Sequence, residues 1–398
     1  MKDPAGTQTS ATALRLRRFE AALVPRLRAF AESPEMSAIS WALPYSFIGL
    51  IVGLAVFMAT LPSGTLLERF SGSFRPAFGI MSGVLIVLLS GALARRRNVS
   101  APLAIASACA AFAVSLPHAA NFPALATALG TSGLFLAMGL GIFAVDALAL
   151  ARRRFGSVPG TVAGALLPLA FALGLRALGI SLTAELDGLI SPLGNLGDSL
   201  SALLIITFVE TLLWTVGIHG PALLAAVVLP VYIHLQLQNT EAFNHHQPLP
   251  HIVTVSTFLF IFPGGAGATL PLVLMLLRSR TKRDKRTALA TLGPSLFNAN
   301  EPLMFGLPVV LNPYLGVPFV VAPLVLAVVT WEAMNLGLVG RPVWYTPSTI
   351  PLPFSVFLAT NKDWRAIPLA ALNIVLAGLI YLPFVRLYAR HRPAEDAE

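Results

Sequence analysis

The sequence predicts an all-α polytopic membrane protein of about ten transmembrane helices with two re-entrant hairpins, and three observations carry that prediction. The first is composition. Of 398 residues, 56% are hydrophobic and 11% charged, with a mean hydropathy of +0.76, which is more apolar surface than a soluble domain of this size can bury. The second is that apolar stretches of about 20 residues, the length that crosses a hydrocarbon core of roughly 30 Å, recur along nearly the whole chain. The third is the charge pattern. The formal net charge of +9 comes from short Lys and Arg clusters between apolar runs, which is the positive-inside bias of membrane topology and not a basic face for nucleic acid.

Residues 1–35 set Arg15, Arg17, Arg18, Arg26 and Arg28 among apolar positions, which reads as a cytoplasmic amphipathic arm at the lipid headgroups. Spans follow at 41–62, 76–94, 101–117, 129–150 and 160–180, bounded by charge or by Pro and Gly. The 41–62 run lies too far behind the basic arm to be a cleaved signal peptide. The triplets Arg95-Arg96-Arg97 and Arg152-Arg153-Arg154 follow the second and fourth spans, so both are expected on the cytoplasmic side. These spans make an N-terminal transmembrane domain, 36–180. Residues 181–198 carry Glu185, Asp187 and Asp198 with several Gly and Pro; too polar to span, they are expected to form an interfacial linker.

The second half, 199–390, offers spans near 199–218, 252–277, 317–338 and 365–388 and a shorter, Pro-broken candidate at 347–360, with a tail at 391–398. Two interrupted segments lie among them. One, near 221–245, is broken by Pro230 and His234; the other, near 288–313, mixes four prolines with Asn298, Asn300, Glu301 and Asn312. Both read as re-entrant hairpins, because irregular backbone at membrane depth has to face a protein-enclosed or aqueous cavity. Broken segments of this kind are where transporters bind substrate. The basic loop at 278–286 and the basic tail around Arg390 are expected to be cytoplasmic.

An ionisable group at membrane depth costs about 2.5–3.5 kcal/mol on insertion scales and usually faces a cavity or a partner. Glu301 stands out for that reason. Its pre-proline position biases it away from helix, and beside Asn298 and Asn300 its carboxylate suits acceptance of hydrogen bonds from several hydroxyls. The competing reading is a carboxylate that braces a broken helix. His219 ends a span between Gly217 and Gly220, which permit close approach; it can donate, accept or shuttle a proton, or serve as an ordinary helix-end histidine. Trp214 and Trp344 offer flat faces on which a sugar ring can stack, or else anchor the interface.

Other features read more plainly. Gly264-Gly265-Ala266-Gly267-Ala268-Thr269 lacks the Lys-Ser/Thr ending of a phosphate loop and reads as close helix packing or a helix break. Asn244-His245-His246-Gln247 through His251, flanked by prolines, reads as a solvated polar connection in preference to a metal site. The single cysteine, Cys109, lies in an apolar stretch and reads as packing. No cofactor and no metal are expected.

Four stretches carry a family resemblance: Leu213-Trp214-Thr215-Val216-Gly217-Ile218-His219-Gly220; the glycine-rich turn at 264–270; Phe297-Asn298-Ala299-Asn300-Glu301-Pro302-Leu303-Met304-Phe305-Gly306-Leu307-Pro308 with Asn312-Pro313; and Trp344-Tyr345-Thr346-Pro347 with Phe357-Leu358-Ala359-Thr360 and Asp363-Trp364-Arg365. In these stretches the sequence resembles the membrane permease subunit, enzyme IIC, of bacterial sugar phosphotransferase systems, in the lactose/cellobiose/diacetylchitobiose branch. The first half resembles it mainly in span pattern and in Gly130-Thr131-Ser132-Gly133-Leu134-Phe135.

The resemblance implies a homodimer whose N-terminal spans form the interface, with a mobile sugar-binding domain built from the C-terminal spans and hairpins. It implies that Glu301 and His219 hold the sugar hydroxyl to be phosphorylated and that Trp214 and Trp344 line the sugar. Transport would be an elevator-like shift, after which a cytoplasmic phospho-IIB protein donates its phosphoryl group. The family's IIB domain uses a cysteine, and Cys109 sits mid-membrane, so IIB is expected on a separate chain.

The expectation is therefore a multi-pass IIC permease of the bacterial cytoplasmic membrane that binds a cellobiose-, chitobiose- or lactose-like disaccharide. Its partners would be the sugar, phospho-IIB, membrane lipid and a second copy, and not nucleic acid. One alternative is an orphan relative that moves free sugar without phosphorylation. Another is an intramembrane enzyme using Glu301 and His219 on a lipid-linked substrate.

Overall fold

A computed structural model of the chain describes residue 29 and residues 32–60, 66–130, 132–279, 281–307, 309–310 and 312–391. Nearly all of the expected arm 1–35 and of the tail 391–398 lies outside the described residues. Among the described residues every regular element is a helix, as a lipid-facing backbone that must satisfy its own N–H and C=O groups requires.

The first half forms α1 (Pro34–Thr60), α2 (Leu66–Arg96), α3 (Ala101–Val114), α4 (Phe122–Leu129), α5 (Ser132–Phe155) and α6 (Ser157–Ala177). Lipid tails are as apolar as leucine, so these helices associate by close approach more than by exclusion from the solvent. Small residues permit it. A Cβ on Gly53 of α1 would fall 2.8 Å from the Ala77 Cα of α2, and one on Gly164 of α6 would fall 2.6 Å from the Leu148 Cα of α5. Phe78, Met81, Leu85, Leu89, Leu134 and Leu148 fill the resulting core, which Leu213, Ile218 and Ile233 of the second half join. On the outside, α6 exposes Val158, Val162, Leu166 and Leu173, an apolar face suited to lipid.

Arg97 pairs with Glu35 at the start of α1 and with Asp146 of α5 at 3.2 Å. The two arginine triplets thus sit at one end of the bundle. Six helices of the described chain are long and apolar enough to cross a membrane: α1, the 75–96 part of α2, α5, α6, and two of the second half. The expected 101–117 span is the shorter α3, of 14 residues. The short α4 was not foreseen; Asn121 starts it by accepting from the Ala124 N–H at 2.9 Å.

The second half forms α7 (Leu182–Gly197), α8 (Leu200–Thr215), α9 (Gly220–Asn244), a single 3₁₀ turn (Val255–Thr257), α10 (Phe258–Ile261), α11 (Leu270–Leu277), α12 (Lys282–Leu296), α13 (Glu301–Gly306), α14 (Pro313–Asn335), α15 (Leu352–Ala359) and α16 (Ala366–His391). The polar stretch 181–198 is thus mostly a 16-residue helix. Helices α14 and α16 are the remaining two of spanning length.

Two expectations are corrected here. The segment 221–245 is not interrupted: α9 runs 25 residues through Pro230. A proline removes one helical hydrogen bond and kinks or breaks the helix only where nothing else holds it. Here Tyr232, Ile233 and Leu235 are buried beside it. Further along, polar residues tie α9 to the loop after α14, Asn239 Nδ2 donating to the Pro342 carbonyl at 2.8 Å and Thr240 to that of Val343 at 2.5 Å. Conversely, 252–277 is not one span. Gly264, Gly265, Gly267 and Ala268 all have positive φ, which breaks the chain between α10 and α11. The 288–313 segment is interrupted as its composition predicts, by the turn between α12 and α13.

Candidate functional site

Three chain breaks meet at one place. The first is the α8–α9 junction, where Gly217 (φ 82) closes α8. Its N–H donates to the Trp214 carbonyl at 3.1 Å, and the Ile218 N–H donates to that of Leu213 at 2.9 Å, the paired bonds by which a left-handed residue ends a helix. His219 is presented immediately afterwards. The second and third breaks are the glycine turn and the 297–300 turn, and side-chain amides join them tip to tip. Asn298 Oδ1 accepts from the Gly264 N–H at 2.9 Å, while Asn300 Nδ2 donates to the Ala266 carbonyl at 2.6 Å.

That joint sets Glu301, the first residue of α13, against the α8–α9 junction. Its Oε1 lies 3.5 Å from His219 Nε2. The Trp214 ring is 4.4 Å from the imidazole, inclined by 50°. The His219 and Glu301 side chains remain 40% and 48% exposed, so an incoming ligand can reach both. A carboxylate beside the first turn of α9 also faces the positive end of that helix dipole.

These groups open onto a cavity of about 360 Å³, within the size range of small-ligand sites. Its polar wall is Glu301, His219, Asn298, Asn300, Glu210, Thr346 and Ser348; its aromatic wall includes Phe47, Tyr232, Phe258, Phe262 and Tyr345. Two grooves of about 490 and 510 Å³ are larger but almost wholly aliphatic and aromatic. They offer nothing to orient a polar ligand.

The site residues read from sequence are therefore only partly brought together. Glu301 and His219 converge. Asn298 and Asn300 line the cavity, but their amides also hold the turns, with Asn298 Nδ2 donating to the Ser348 carbonyl at 2.7 Å. Trp214 backs His219, and its buried indole N–H has no partner among the described residues. Trp344 lies behind the wall: its Nε1 donates to Asn361 Oδ1 at 3.1 Å and its ring packs edge-on to Phe243. Its neighbour Tyr345 faces the cavity instead.

His251 is not part of a solvated connection. It is buried, with Nδ1 3.0 Å from Asp198 Oδ2 and Nε2 2.5 Å from Gln238 Oε1. Asp198 Oδ1 further accepts from the N–H groups of Ile252 and Val253, so this cluster anchors the chain that leads into the glycine turn. Sequence reasoning missed Glu210, a lone acid in an apolar helix, though the cost of charge at membrane depth applies to it as to Glu301.

Residues 38–323 match the family model for the phosphotransferase system, EIIC. The chain belongs to that family. This IIC chain is 32% identical over 382 residues to the putative permease IIC component YwbA of Bacillus subtilis, covering 87% of this chain and 86% of that protein. It is also 32% identical over 381 residues to the lichenan permease IIC component of the same organism, covering 87% and 84%. Its fold is similar to the crystal structure of the transporter ChbC, the IIC component of the N,N'-diacetylchitobiose-specific phosphotransferase system, with a TM-score of 0.80 at 28% identity over 95% of this chain and 99% of that one. With its long apolar helices, this IIC chain is a multi-pass protein of the bacterial cytoplasmic membrane.

Proposed function

We propose that this IIC permease imports a β-linked disaccharide and that His219 and Glu301 together hold the hydroxyl that a separate phospho-IIB protein phosphorylates. The observation that carries the reading is the convergence of these two side chains to 3.5 Å at the accessible wall of a cavity that also carries aromatic faces and the polar residues Asn298, Asn300 and Thr346. The relatives named for lichenan, cellobiose and N,N'-diacetylchitobiose favour a β-glucoside type of sugar. Phosphoryl transfer demands mainly that the attacking oxygen be positioned. Glu301 accepts the hydroxyl proton and orients that oxygen, and His219 completes the hydrogen-bond network.

The same reading assigns 36–180 to the interface of a homodimer and 199–390 to a binding domain that moves as an elevator. The segments 255–277 and 282–306, joined at their turns, are its re-entrant hairpins. Support comes from the tip-to-tip amide bonds, which make the two turns one unit.

The test is uptake of radiolabelled cellobiose, lactose and diacetylchitobiose into membrane vesicles, with and without the soluble phosphotransferase proteins, for wild type and Glu301→Gln. Phosphorylated product that requires those proteins and vanishes in the variant is the expected result. Accumulation of free sugar regardless of those proteins would replace this reading with that of a carrier that does not phosphorylate.

A further inference from the structure

We propose that Glu210 is a second carboxyl ligand of the sugar, a specificity-determining residue that takes a hydrogen-bond donor on the substrate away from the hydroxyl held by Glu301 and His219; this rests on the sugar-permease reading of the cavity. Glu210 is the one charged residue of the 16-residue helix Leu200–Thr215. It lies one helical turn before Trp214, and it lines the same cavity as Glu301 and His219.

Its carboxyl group is left wanting a donor. Asp146 and Asp198 have charged or hydrogen-bonding partners, and Glu301 has His219. For Glu210, no hydrogen bond or ion pair is formed among the described residues. The cavity lining contains no Lys or Arg, and its histidine, His219, lies against Glu301. The cavity it lines also carries Leu224, Val228, Leu229 and Phe262, apolar groups beside which an unsatisfied polar group is costly. Such groups are kept where something else completes their hydrogen bonds. A sugar does so with its hydroxyls, or with an amide N–H where the ring is acetamido-substituted.

The residue is also held in place, as a recognition group has to be. The backbone of Gly220 seats directly on the Glu210 carbonyl, where a Cβ on Gly220 would lie 2.0 Å from that oxygen. The position of Glu210 is thereby locked to the α8–α9 junction that presents His219. Glu301 is the carboxylate within ion-pair reach of His219, so Glu210 is free to address a different part of the ligand. Neutral or ionised, a carboxyl rejects a substrate that lacks the matching donor, because its own hydrogen bond is then lost.

The experiment is calorimetric titration of purified wild type, Glu210→Gln, Glu210→Ala and Glu301→Gln with cellobiose, lactose, diacetylchitobiose and the singly deoxygenated cellobioses. Folding of each variant is checked by thermal unfolding. Glu210→Ala is expected to bind the preferred disaccharide at least tenfold more weakly, with Glu210→Gln between it and wild type. One deoxy sugar should bind wild type and Glu210→Ala equally, and it should differ from the deoxy sugar that levels wild type with Glu301→Gln. Unchanged affinity in Glu210→Ala overturns the proposal, as does a uniform loss for every deoxy sugar with a lowered unfolding temperature, which marks a structural role. Wild type that binds none of the disaccharides overturns the sugar reading itself and this assignment with it.

Discussion

Replacing Asn300 by Ala tests whether the joint between the two turns builds the site. The change removes the amide that donates to the Ala266 carbonyl across 2.6 Å. Asn300 is 3% exposed, so water does not replace the donor, and a buried carbonyl left unpaired costs about 1–3 kcal/mol. At about 1.4 kcal/mol per decade, a joint that must be closed for binding loses roughly 5- to 140-fold in sugar affinity. Asn298 supplies the internal control. It sits at φ 58, so Asn298→Gly loses its two side-chain hydrogen bonds without backbone strain, whereas Asn298→Ala loses the same bonds and adds about 1–2 kcal/mol of left-handed strain. The expected order of unfolding temperature in detergent is wild type, then Asn298→Gly, then Asn298→Ala. Asn300→Ala should melt early and bind sugar weakly. Wild-type melting and binding in Asn300→Ala would refute the argument that this joint positions Glu301, and Asn298→Ala melting above Asn298→Gly would refute the strain account.

Gly220→Ala sets a methyl group 2.0 Å from the Glu210 carbonyl oxygen; overpacking of this kind costs about 1–3 kcal/mol, and relief moves α9 and His219 away from Glu301. Membrane insertion with sugar uptake lost is the expected phenotype, and uptake at the wild-type rate would contradict it. A pH effect follows at Asp363, in the loop before α16. Burial pushes its carboxyl up, but hydrogen bonds from Arg365 and the Gly340 N–H outweigh this and hold it below the ordinary aspartate range. A folded value below the unfolded one gives stability that is full above the unfolded value and lost as pH falls through the folded one. The difference in unfolding temperature between wild type and Asp363→Asn should therefore be constant near neutrality and shrink below about pH 4; a difference that persists in acid would argue against the sign.

Span length and hydropathy made the six long helices legible, because lipid imposes both. Where the chain breaks was less legible, and for a physical reason in each direction. Pro230 announces one missing hydrogen bond but says nothing of the buried Tyr232 and Ile233 that hold α9 together. The turn at 264–269 reads as either close packing or a helix break, and because glycine and alanine do not interrupt an apolar run, 252–277 still reads as one span, although three glycines there adopt positive φ. Helix α4 is too short to register as a span, and its signal is the local cap at Asn121. Glu301 and His219 were legible because a carboxylate and an imidazole at membrane depth demand explanation. Glu210 meets the same criterion but is submerged in an apolar helix that reads only as a span. Trp344 and Tyr345 differ by one position in an irregular segment, where no periodicity says which of two neighbours faces inward.

Two kinds of interaction join the two halves of the chain near the cavity. Arg75 of α2 and Glu241 of α9 form an ion pair at 3.0 Å, with both side chains about half exposed, and such pairs contribute about 0–1 kcal/mol. Tyr345 instead stacks on Phe47 of α1 and meets Phe78 of α2 edge-on, each with ring centroids 6.1 Å apart. Aromatic pairs of this geometry are worth about 0.5–1.5 kcal/mol each beyond the area they bury. The aromatic contact is therefore the stronger tie, and salt should affect it little. Tyr345 and Phe47 are at the same time walls of the cavity. On the elevator reading proposed above, movement of 199–390 past α1 breaks the Tyr345–Phe47 pair, and a sugar in the cavity meets both of these residues. On that reading the aromatic pair, and not the half-exposed Arg75–Glu241 ion pair, is the tie that the movement has to break.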